Sequence, residues 1–292
     1  MKVLVLGAGG MLGSACYQVF AENDGFLTYG TLRTLEQTAA IRVGGGGTLI
    51  PCVNALELSQ LAYVFDQCSP DVVINCVGII KQLDSVKNLP LLIETNALLP
   101  HRLADLSNRY GARLIHISTD CVFSGAKGMY KESDVADAAD PYGRTKQLGE
   151  TVASNAVTLR TSIIGHEVKR AVSLVDWFLS QRGSVKGYRR AIFSGLPSIE
   201  LARVIRDYVV PDREMTGLYH VAAEPIAKFD LLGLVAREYR SDANLVPDDT
   251  LVIDRSLDGQ RFRERTGYVA AQWPALVRSM RERHGSATAR AA

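Results

Sequence analysis

The chain has 292 residues, of which 47% are hydrophobic and 22% are charged, and this composition excludes an intrinsically disordered protein. Its formal net charge of +2 at pH 7 supplies no basic field of the kind that binding to nucleic acid or to an anionic membrane requires. Neither is therefore expected as a partner, and an acidic small molecule would have to be held by local charges.

Short runs of β-branched and aliphatic residues alternate with amphipathic segments through the first half of the chain. The runs that predict strands are KVLVL (2–6), FLTYG (26–30), TLIPCV (48–53), DVVINCV (71–77), ARLIHIS (112–118) and AVTLRTSII (156–164). Continuous apolar strands separated by helices predict a parallel sheet covered on both faces. The expected fold class is therefore α/β, with a doubly wound parallel sheet. The glycine-rich segment at 42–50 is interpreted as a connection into the third strand.

This alternation ends near residue 165. The second half contains predicted helices at 173–182, 199–210 and 226–240 and one predicted strand at 217–222. We interpret residues 166–284 as a smaller substrate-binding region, partly interleaved with the first domain, to which one strand and one helix return. Residues 285–292 are expected to form a flexible tail.

The five cysteines and five histidines are scattered, with no pair at C-x-x-C or metal-ligand spacing. Free thiols in a reducing cytosol, and no metal site, are therefore expected. The N-terminus imitates a signal peptide, but four glycines between positions 7 and 13 argue against a helical apolar region. No segment approaches the roughly 20 apolar residues of a membrane span, which predicts a cytoplasmic protein.

A glycine-rich turn follows the first predicted strand and opens a helix, in the sequence VLVLGAGGMLGSA. Gly7, Gly10 and Gly13 are spaced as Gly-x-x-Gly-x-x-Gly. Glycine at such a turn lets the backbone approach a pyrophosphate and lets helix and strand pack closely. The N–H groups of the helix start, at Met11 and Leu12, would face the phosphates. The turn predicts a dinucleotide-binding Rossmann domain over residues 1–165, the alternative being a plain turn of small residues.

The fifth predicted strand ends in HISTDCVFSG, which places Ser118, Thr119 and Asp120 at the carboxyl end of a central strand. Open α/β sheets hold their ligands at this edge. Taken alone, the three residues are better explained as a turn that closes a strand. They gain weight from Tyr142, which follows Thr119 by 142 − 119 = 23 residues.

Tyr142 and Lys146 are four residues apart, on a helix whose start is predicted at Asp140 and Pro141. Positions i and i+4 share one face of a helix, so both side chains can face one ligand. A neighbouring ammonium favours the phenolate and would lower the tyrosine pKa toward neutrality. Tyr142 is therefore predicted to act as a general acid or base, the alternative being an exposed pair on an amphipathic helix.

These motifs resemble those of the extended short-chain dehydrogenase/reductases. GAGGMLG is similar to their glycine turn, YGRTK to their Tyr-x-x-x-Lys, and Thr119 to their active-site Ser/Thr. More narrowly, STDCVFSG and YKESDVADAADPYGRTKQLGE resemble the dTDP-4-dehydrorhamnose reductase branch, which reduces 4-keto sugar nucleotides. Two departures are Cys121, where that branch has tyrosine, and NCVGIIKQ (75–82), which differs from its alanine-rich strand end. The resemblance therefore leaves the identity of the sugar open.

The resemblance implies a reductase of a 4-keto-6-deoxy sugar nucleotide, in which a reduced nicotinamide delivers hydride to the sugar ketone. Tyr142 would donate a proton to the developing alkoxide, Lys146 would lower the tyrosine pKa and hold the nicotinamide ribose, and Thr119 would hydrogen-bond the carbonyl. Asp120 and Cys121 would face the sugar, although for Cys121 a role as a small residue that fills space beneath the loop is about as well supported. The further cofactor contacts that the resemblance implies are Ser118, Cys76, Val77, Gly78 and Asn54. For Asn54, a role as a strand-ending turn residue is about as well supported.

The end of the second predicted strand bears on the choice of cofactor. An NAD-binding site presents an Asp or Glu there to the ribose hydroxyls, whereas no acidic residue occurs at positions 25–35. Arg33 lies just beyond the strand, with Thr31 and Thr34 beside it, so a 2′-phosphate would meet a planar cation and hydroxyl donors. NADP is therefore expected to be preferred over NAD. The alternative is that Arg33 is only a solvent-exposed residue at the first turn of the next helix.

Other functions stay open. A 4,6-dehydratase would carry an acidic pair after the active-site threonine, and Cys121 after Asp120 disfavours it. A nucleotide-sugar 4-epimerase shares the same motifs and is not excluded. A non-catalytic NADP-binding regulatory module, as in the regulatory subunit of methionine adenosyltransferase, also resembles this branch. The joint presence of Thr119, Tyr142 and Lys146 favours an active enzyme.

The second half offers less specific signals. Arg255, Arg261 and Arg263 could meet a diphosphate, but a charged helix face is the commoner explanation of such a set, and they are not assigned to the site. By analogy with the resembling family, a homodimer is expected through the helices near 88–109 and 141–154.

Overall fold

The structure is a computed structural model that describes residues 1–41, 46–80, 87–168 and 173–289. Parts of the connection predicted at 42–50 and of the strand end at 75–82 lie outside these residues, as do the last three residues of the predicted tail.

Seven parallel strands form the central sheet. They are β1 (Lys2–Leu6), β2 (Leu27–Thr31), β3 (Gly47–Ile50), β4 (Val72–Asn75), β5 (Arg113–Thr119), β6 (Ala156–Thr161) and, much later in the chain, β11 (Gly217–His220). Their order is β11-β6-β5-β4-β1-β2-β3, and β1 pairs with both β2 and β4. The strand order therefore reverses at β1, where open α/β sheets leave a crevice for a ligand beyond the carboxyl ends of the strands.

Helices pack on both faces of this sheet. The helices in the described residues are α1 (Met11–Ala21), α2 (Leu58–Cys68), α3 (Leu89–Leu92), α4 (Leu99–Arg109), α5 (Pro141–Leu148), α6 (Leu174–Ser180), α7 (Ser198–Val204), α8 (Lys228–Tyr239), α9 (Gln260–Thr266) and α10 (Trp273–Ala289). One buried apolar core contains Tyr17 and Phe20 of α1 together with Leu201 of α7. A second contains Phe65 of α2 and Leu103 of α4. Apolar burial on both faces explains why the strands are nearly all apolar.

The remaining elements are short. The strands are β7 (Ile163–Ile164), β8 (Ser184–Tyr188), β9 (Ala191–Phe193), β10 (Leu196–Pro197), β12 (Ile226–Ala227), β13 (Asn244–Asp248) and β14 (Ile253–Asp254), with 3₁₀ turns at Leu35–Ala40 and Asp120–Val122 and π-helical segments at Ile93–Leu98 and Ile205–Val209. In these strands β7 pairs with β10, β8 with β13, and β9 with both β12 and β14.

The predicted doubly wound parallel α/β sheet is confirmed. The run predicted as one strand at 156–164 forms two strands, because the Ser162 carbonyl accepts the Leu196 N–H at 2.9 Å and the chain leaves β6 to pair with β10. Strand β11 pairs with β6 in the main sheet, while the predicted division into domains stays a prediction. Helix α10 continues through Ala289, into the predicted tail, and no proline interrupts it there.

Within the described ranges, no helix combines the length and the apolar character that crossing a membrane demands. Nor does any group of three or more histidine, cysteine, aspartate or glutamate side chains in them form a candidate metal site.

Candidate active site

The glycine turn after β1 has a tightly fixed backbone. Gly7 adopts a φ of +79°, in the left-handed region that favours glycine, and its N–H donates to Thr31 Oγ1 at 3.1 Å. A Cβ atom on Gly13 would lie 2.1 Å from the Gly7 carbonyl oxygen. Glycine at position 13 therefore allows α1 to begin directly against the end of β1.

The residues of this turn fit the phosphates of a dinucleotide. Helix α1 is preceded by Gly10, has no side-chain cap, and carries no acidic residue in its first turn. The N–H groups of Met11 and Leu12 are thus neither covered by a capping side chain nor opposed by a helix carboxylate, and the helix dipole favours an anion there.

The predicted groove after β4 lies beside the same turn. A Cβ atom on Gly7 would lie 3.1 Å from Val77 Cγ2, and the Cys76 N–H donates to the Leu6 carbonyl at 3.1 Å. The ends of β1 and β4 therefore meet, and Cys76, Val77 and Gly78 follow one of the two strands that border the crevice.

Asn96 fixes the chain beyond this groove. Its Oδ1 accepts the Ile79 N–H at 2.9 Å and its Nδ2 donates to the Ile79 carbonyl at 3.0 Å. A Cβ atom on Gly149, just after α5, would lie 2.0 Å from the Asn96 carbonyl oxygen. Sequence reasoning missed Asn96, because a single asparagine in an apolar helical segment gives no signal of its partner.

Arg33 is connected to the glycine turn through Gln37. The Arg33 N–H donates to Gln37 Oε1 at 2.9 Å, and the Thr34 N–H donates to the same oxygen at 3.1 Å. A Cβ atom on Gly9 would lie 2.7 Å from Gln37 Nε2. The side chain of Arg33 is exposed and makes no ion pair with any described residue. The Thr-x-x-Gln spacing of a capping box was the available signal for Gln37.

Asn54 forms local hydrogen bonds that stabilise a turn. Its Oδ1 accepts the Leu56 N–H at 3.2 Å, and its own N–H donates to Gln60 Oε1 at 2.8 Å. This is the turn that asparagine forms at the end of a strand. The predicted contact with the adenine stays a prediction.

Helix α5 lies directly against the turn that follows β5. Asp140 caps the helix by accepting the Gly143 N–H at 3.0 Å, and Pro141 occupies the first turn, which confirms the predicted helix start. A Cβ atom on Gly143 would lie 2.3 Å from the Cys121 carbonyl oxygen. Glycine beside Tyr142 therefore permits the contact that brings the tyrosine to the end of β5.

Four of the predicted site residues come together at this contact. Thr119 Oγ1 donates to Asp120 Oδ1 and accepts the Cys121 N–H, each at 3.1 Å. The half-buried Tyr142 phenol hydrogen-bonds to Thr119 and lies beside Cys121 and Asp120. The predicted meeting of Thr119 with Tyr142 is thus present in the structure.

The predicted lowering of the Tyr142 pKa by Lys146 is not found. Burial raises the pKa of the phenol, Cys121 adds to the rise, and the hydrogen bond with Thr119 opposes it. The Lys146 ammonium instead donates to the Ile117 carbonyl at 2.7 Å. Burial lowers the pKa of Lys146 to about 8, and Glu150 opposes that change. Desolvation is therefore the largest influence on both pKa values in this structure.

Ser118 faces an ion pair that sequence reasoning missed. Its hydroxyl donates to Glu150 Oε1 at 2.7 Å. Arg160 binds the same carboxylate through Nε and Nη2, both at 2.7 Å. The predicted contact of Ser118 with the cofactor stays a prediction, and its hydroxyl is engaged on the side of Glu150.

Arg255 reaches the site, although sequence reasoning left it outside. Its Nη1 lies 3.7 Å from Cys121 Sγ and its Nε donates to the Phe123 carbonyl at 2.8 Å. Burial raises the pKa of Asp120, and Arg255 is the largest influence opposing that rise. Arg261 lies instead over the Tyr219 ring, 4.6 Å from its centroid. Arg255 follows the short strand β14, which sequence reasoning did not predict, so no local pattern connected it to Cys121.

Comparisons with known proteins agree with this geometry. The family model described as RmlD substrate binding domain matches residues 1–254. Bovine methionine adenosyltransferase 2 subunit beta is 30% identical over 94% of this chain and 88% of its own length. The dTDP-4-dehydrorhamnose reductase of Aggregatibacter actinomycetemcomitans is 24% identical over 77% of this chain and 74% of its own.

A solved structure has the same fold. The dTDP-4-dehydrorhamnose reductase from Bacillus anthracis, crystallised in complex with NADP, matches with a TM-score of 0.78 and 20% identity, over 97% of this chain and 99% of that one. With residues 1–254 matching the family model, the chain belongs to the RmlD substrate binding domain family, within the extended short-chain dehydrogenase/reductase branch that its motifs predict.

Proposed function

We propose that this NAD(P)-dependent oxidoreductase is an NADPH-dependent reductase of a 4-keto-6-deoxy sugar nucleotide. The observation that carries the proposal is the contact at Gly143, which sets Tyr142 against Thr119 with Lys146 on the same helix. A proton donor, a second hydroxyl and a buried cation are the groups that reduction of a ketone to an alcohol requires. The reductase among the relatives acts on a 4-keto sugar nucleotide, as its name states.

The proposed cofactor site follows the strand ends. The backbone from Gly7 to Gly13 would hold the pyrophosphate, and Arg33 would meet a 2′-phosphate. Lys146 would hold the nicotinamide ribose. When bound, the reduced nicotinamide supplies the hydride. The groove residues proposed to line it are Cys76, Val77, Gly78 and Ser118, with Asn54 toward the adenine.

The proton chemistry favours reduction. Because burial raises the pKa of Tyr142, the phenol stays protonated at neutral pH, and this is the form that gives a proton to an alkoxide. Thr119 would hydrogen-bond the ketone oxygen, and Asp120 and Cys121 would face the sugar. A 4-epimerase would begin by removing a proton from a hydroxyl, which requires the phenolate.

A non-catalytic cofactor-binding subunit is the second candidate. It is favoured by the 30% identity, over 94% of this chain, with methionine adenosyltransferase 2 subunit beta. Such a subunit would need the cofactor site but not a proton donor. The close approach of Tyr142 to Thr119 has no purpose in that function, and we rank it second for this reason.

Incubation with NADPH and a panel of 4-keto-6-deoxy sugar nucleotides tests the proposal. The panel varies the nucleotide and the sugar, and nicotinamide absorbance is followed beside product analysis by NMR. A reductase oxidises one cofactor for each reduced sugar formed. Product without net oxidation identifies an epimerase. A protein that binds NADPH but turns over no member of the panel, and whose Tyr142→Phe variant behaves identically, is the subunit of the second candidate.

We also propose a cytoplasmic homodimer. Apolar side chains are exposed on the segments that the resemblance places at the interface: Leu89 of α3, Ile93 of the following π-helical segment, Leu148 at the end of α5 and Val152, four residues beyond it, are 47%, 45%, 64% and 89% exposed. An exposed apolar patch of this kind is typical of an interface. Light scattering should give twice the 31.8 kDa chain mass, and Leu148→Glu should shift the mass toward that of the monomer.

A further inference from the structure

Three polar residues lie side by side in the middle of the main sheet. Asn75 of β4 is paired in register with His116 of β5, and His116 with Thr158 of β6. They are 1%, 0% and 0% exposed. Their side chains lie on the face that packs on α2 and α4, since the residues two positions earlier in each strand belong to that apolar core. Polar groups removed from water in this way must find hydrogen-bond partners within the protein.

The Asn75 amide has one orientation that satisfies its two neighbours. Its Oδ1 accepts the Val77 N–H at 3.0 Å, and the oxygen must face this group because a backbone N–H can only donate. Its Nδ2 then lies 3.2 Å from His116 Nδ1. Since an amide NH2 also only donates, His116 Nδ1 is the acceptor. The imidazole is therefore neutral and carries its proton on Nε2.

The proton on His116 Nε2 makes no compensating contact. Nε2 is buried and has no hydrogen-bond partner among the described residues. Burial, followed by the charges of Lys146 and His101, holds the pKa of His116 well below its usual range, so the ring stays neutral. A buried donor without a partner is unfavourable. The hydrogen bond that His116 accepts from Asn75 accounts for a polar ring at this position.

Asn75 in turn holds the start of the predicted cofactor groove. The chain leaves β4 beside the glycine turn, where a Cβ atom on Gly7 would lie 3.1 Å from Val77 Cγ2 and 3.3 Å from the Val77 nitrogen. The Cys76 N–H continues the sheet by donating to the Leu6 carbonyl at 3.1 Å, whereas the Val77 N–H donates to the Asn75 side chain. The Asn75 amide therefore sets the position at which Val77 packs against Gly7.

We propose that His116 is a positioning residue of the cofactor site, which fixes the Asn75 amide in the orientation that holds the Val77 N–H beside the glycine turn. Without the acceptor on His116, Asn75 Nδ2 loses the partner that it has in this orientation. Any rotation of the amide that brings Nδ2 a new partner breaks the bond to Val77. The inference rests on the proposed cofactor site, and it does not depend on which sugar nucleotide is reduced.

Cofactor binding tests the proposal with two variants of the same position. His116→Met removes the acceptor and fills the space with an apolar side chain, whereas His116→Gln supplies an amide oxygen that can accept from Asn75. We expect the Kd for NADPH, measured by fluorescence titration, to rise at least about tenfold in His116→Met. In His116→Gln it should stay within about threefold of the wild type. In both variants kcat at saturating NADPH should change less than about threefold, so that the effect falls on KM.

Thr158→Val is the matched control, because it removes a buried polar group from the other side of His116. The Thr158 hydroxyl donates to the Thr151 carbonyl at 3.2 Å and so holds the chain after α5. Both Thr158→Val and His116→Met should lower the thermal midpoint, but only His116→Met should weaken NADPH binding. An equal loss of affinity in the two variants would assign the effect to general destabilisation and overturn the proposal.

The tautomer of His116 gives a readout that needs neither cofactor nor substrate. ¹⁵N NMR of the histidine side chains, assigned with His116→Gln, should show an unprotonated Nδ1 and a proton on Nε2 between about pH 6 and pH 8. A proton on Nδ1 overturns the proposal, as does an unchanged Kd for NADPH in His116→Met. A wild type that binds NADPH but reduces no sugar nucleotide refutes the proposed reductase alone, since the binding comparison still decides the role of His116.

Discussion

Gly143 and Cys121 lie so close together that any side chain on the glycine would collide with the backbone of the cysteine. The distance from a Cβ atom on Gly143 to the Cys121 carbonyl oxygen would be 2.3 Å. This contact joins the start of α5 to the turn after β5, and therefore joins Tyr142 to Thr119. The small residue inside YGRTK is thus explained by packing at the site.

Gly143→Ala should separate the two elements and misplace Tyr142. Since a displacement of about 1 Å can cost on the order of 100-fold in rate, we expect kcat to fall at least about tenfold with a lowered thermal midpoint. Gly233→Ala is the matched control, because a Cβ atom on Gly233 in α8 meets nothing within 4 Å. That variant should keep full activity and gain up to about 1 kcal/mol of stability. A fully active Gly143→Ala would contradict the role of the contact.

Tyr142→Phe should remove the proton donor and leave the cofactor site intact. We expect kcat to fall by a factor on the order of 100 or more, with the Kd for NADPH nearly unchanged. Lys146→Met should weaken both, since the lysine is proposed to touch the ribose. Stopped-flow turnover and fluorescence titration of NADPH measure the two effects. Retention of wild-type kcat in Tyr142→Phe would remove the tyrosine from the mechanism.

The buried Lys146 should make stability depend on pH in a defined direction. Its pKa is lowered to about 8 in the folded protein, whereas a lysine in the unfolded chain titrates near 10.4. Between about pH 8 and pH 10 the unfolded state binds the extra proton, so this group's contribution to the free energy of unfolding rises with pH. Over this window the free energy of unfolding of the wild type, measured by urea unfolding, should therefore rise relative to that of Lys146→Met. A difference that does not vary with pH would contradict the assignment.

Cys121 should react slowly with alkylating reagents unless the solution is strongly alkaline. Burial raises the pKa of its thiol to about 12, and only the thiolate is nucleophilic. The exposed Cys52 serves as the internal control and should be labelled first. We expect labelling of Cys121 to be slowed by substrate and to abolish activity, as followed by mass spectrometry. Equal labelling with and without substrate would place Cys121 outside the sugar pocket.

Arg33→Ala should reduce the preference for NADPH. One charge-assisted hydrogen-bonded pair is worth on the order of 1.5 to 3 kcal/mol, so the wild type should bind NADPH at least about tenfold more tightly than NADH. The variant should lose most of that difference while its Kd for NADH stays the same. Arg109→Ala, at the exposed end of α4, is the control and should change neither constant. A wild type that binds both cofactors equally tightly would refute the role of Arg33.

The sheet and the start of α5 could be predicted because their signals are local. Apolar runs mark buried parallel strands, and the glycines after β1 mark a turn that a side chain would block. Asp140 and Pro141 likewise predict the first turn of a helix, because both residue types are favoured at helix N-termini. Each of these features is decided by residues within about one turn or one strand of each other.

The surroundings of the catalytic groups could not be predicted in the same way. Arg255 contacts Cys121 from 134 residues away along the chain, and no spacing rule connects them. The tyrosine pKa was expected to fall because only its helical neighbour Lys146 was considered. Burial acts in the opposite direction, and burial depends on how the whole fold closes over the site. Long-range packing therefore determines the protonation states and charged neighbours of the site residues, which local sequence patterns could not predict.

Strand β11 means that the main sheet can be completed only late in the synthesis of the chain. Residues 217–220 pair with β6 at one end of the main sheet, so β6 keeps an unpaired edge until the ribosome has made them. Helix α7, which packs with α1 in the same apolar core, also comes from the later half. The glycine turn therefore gains its final support only after most of the polypeptide has emerged, and a nascent chain ending near residue 165 would expose both a strand edge and an apolar face to aggregation.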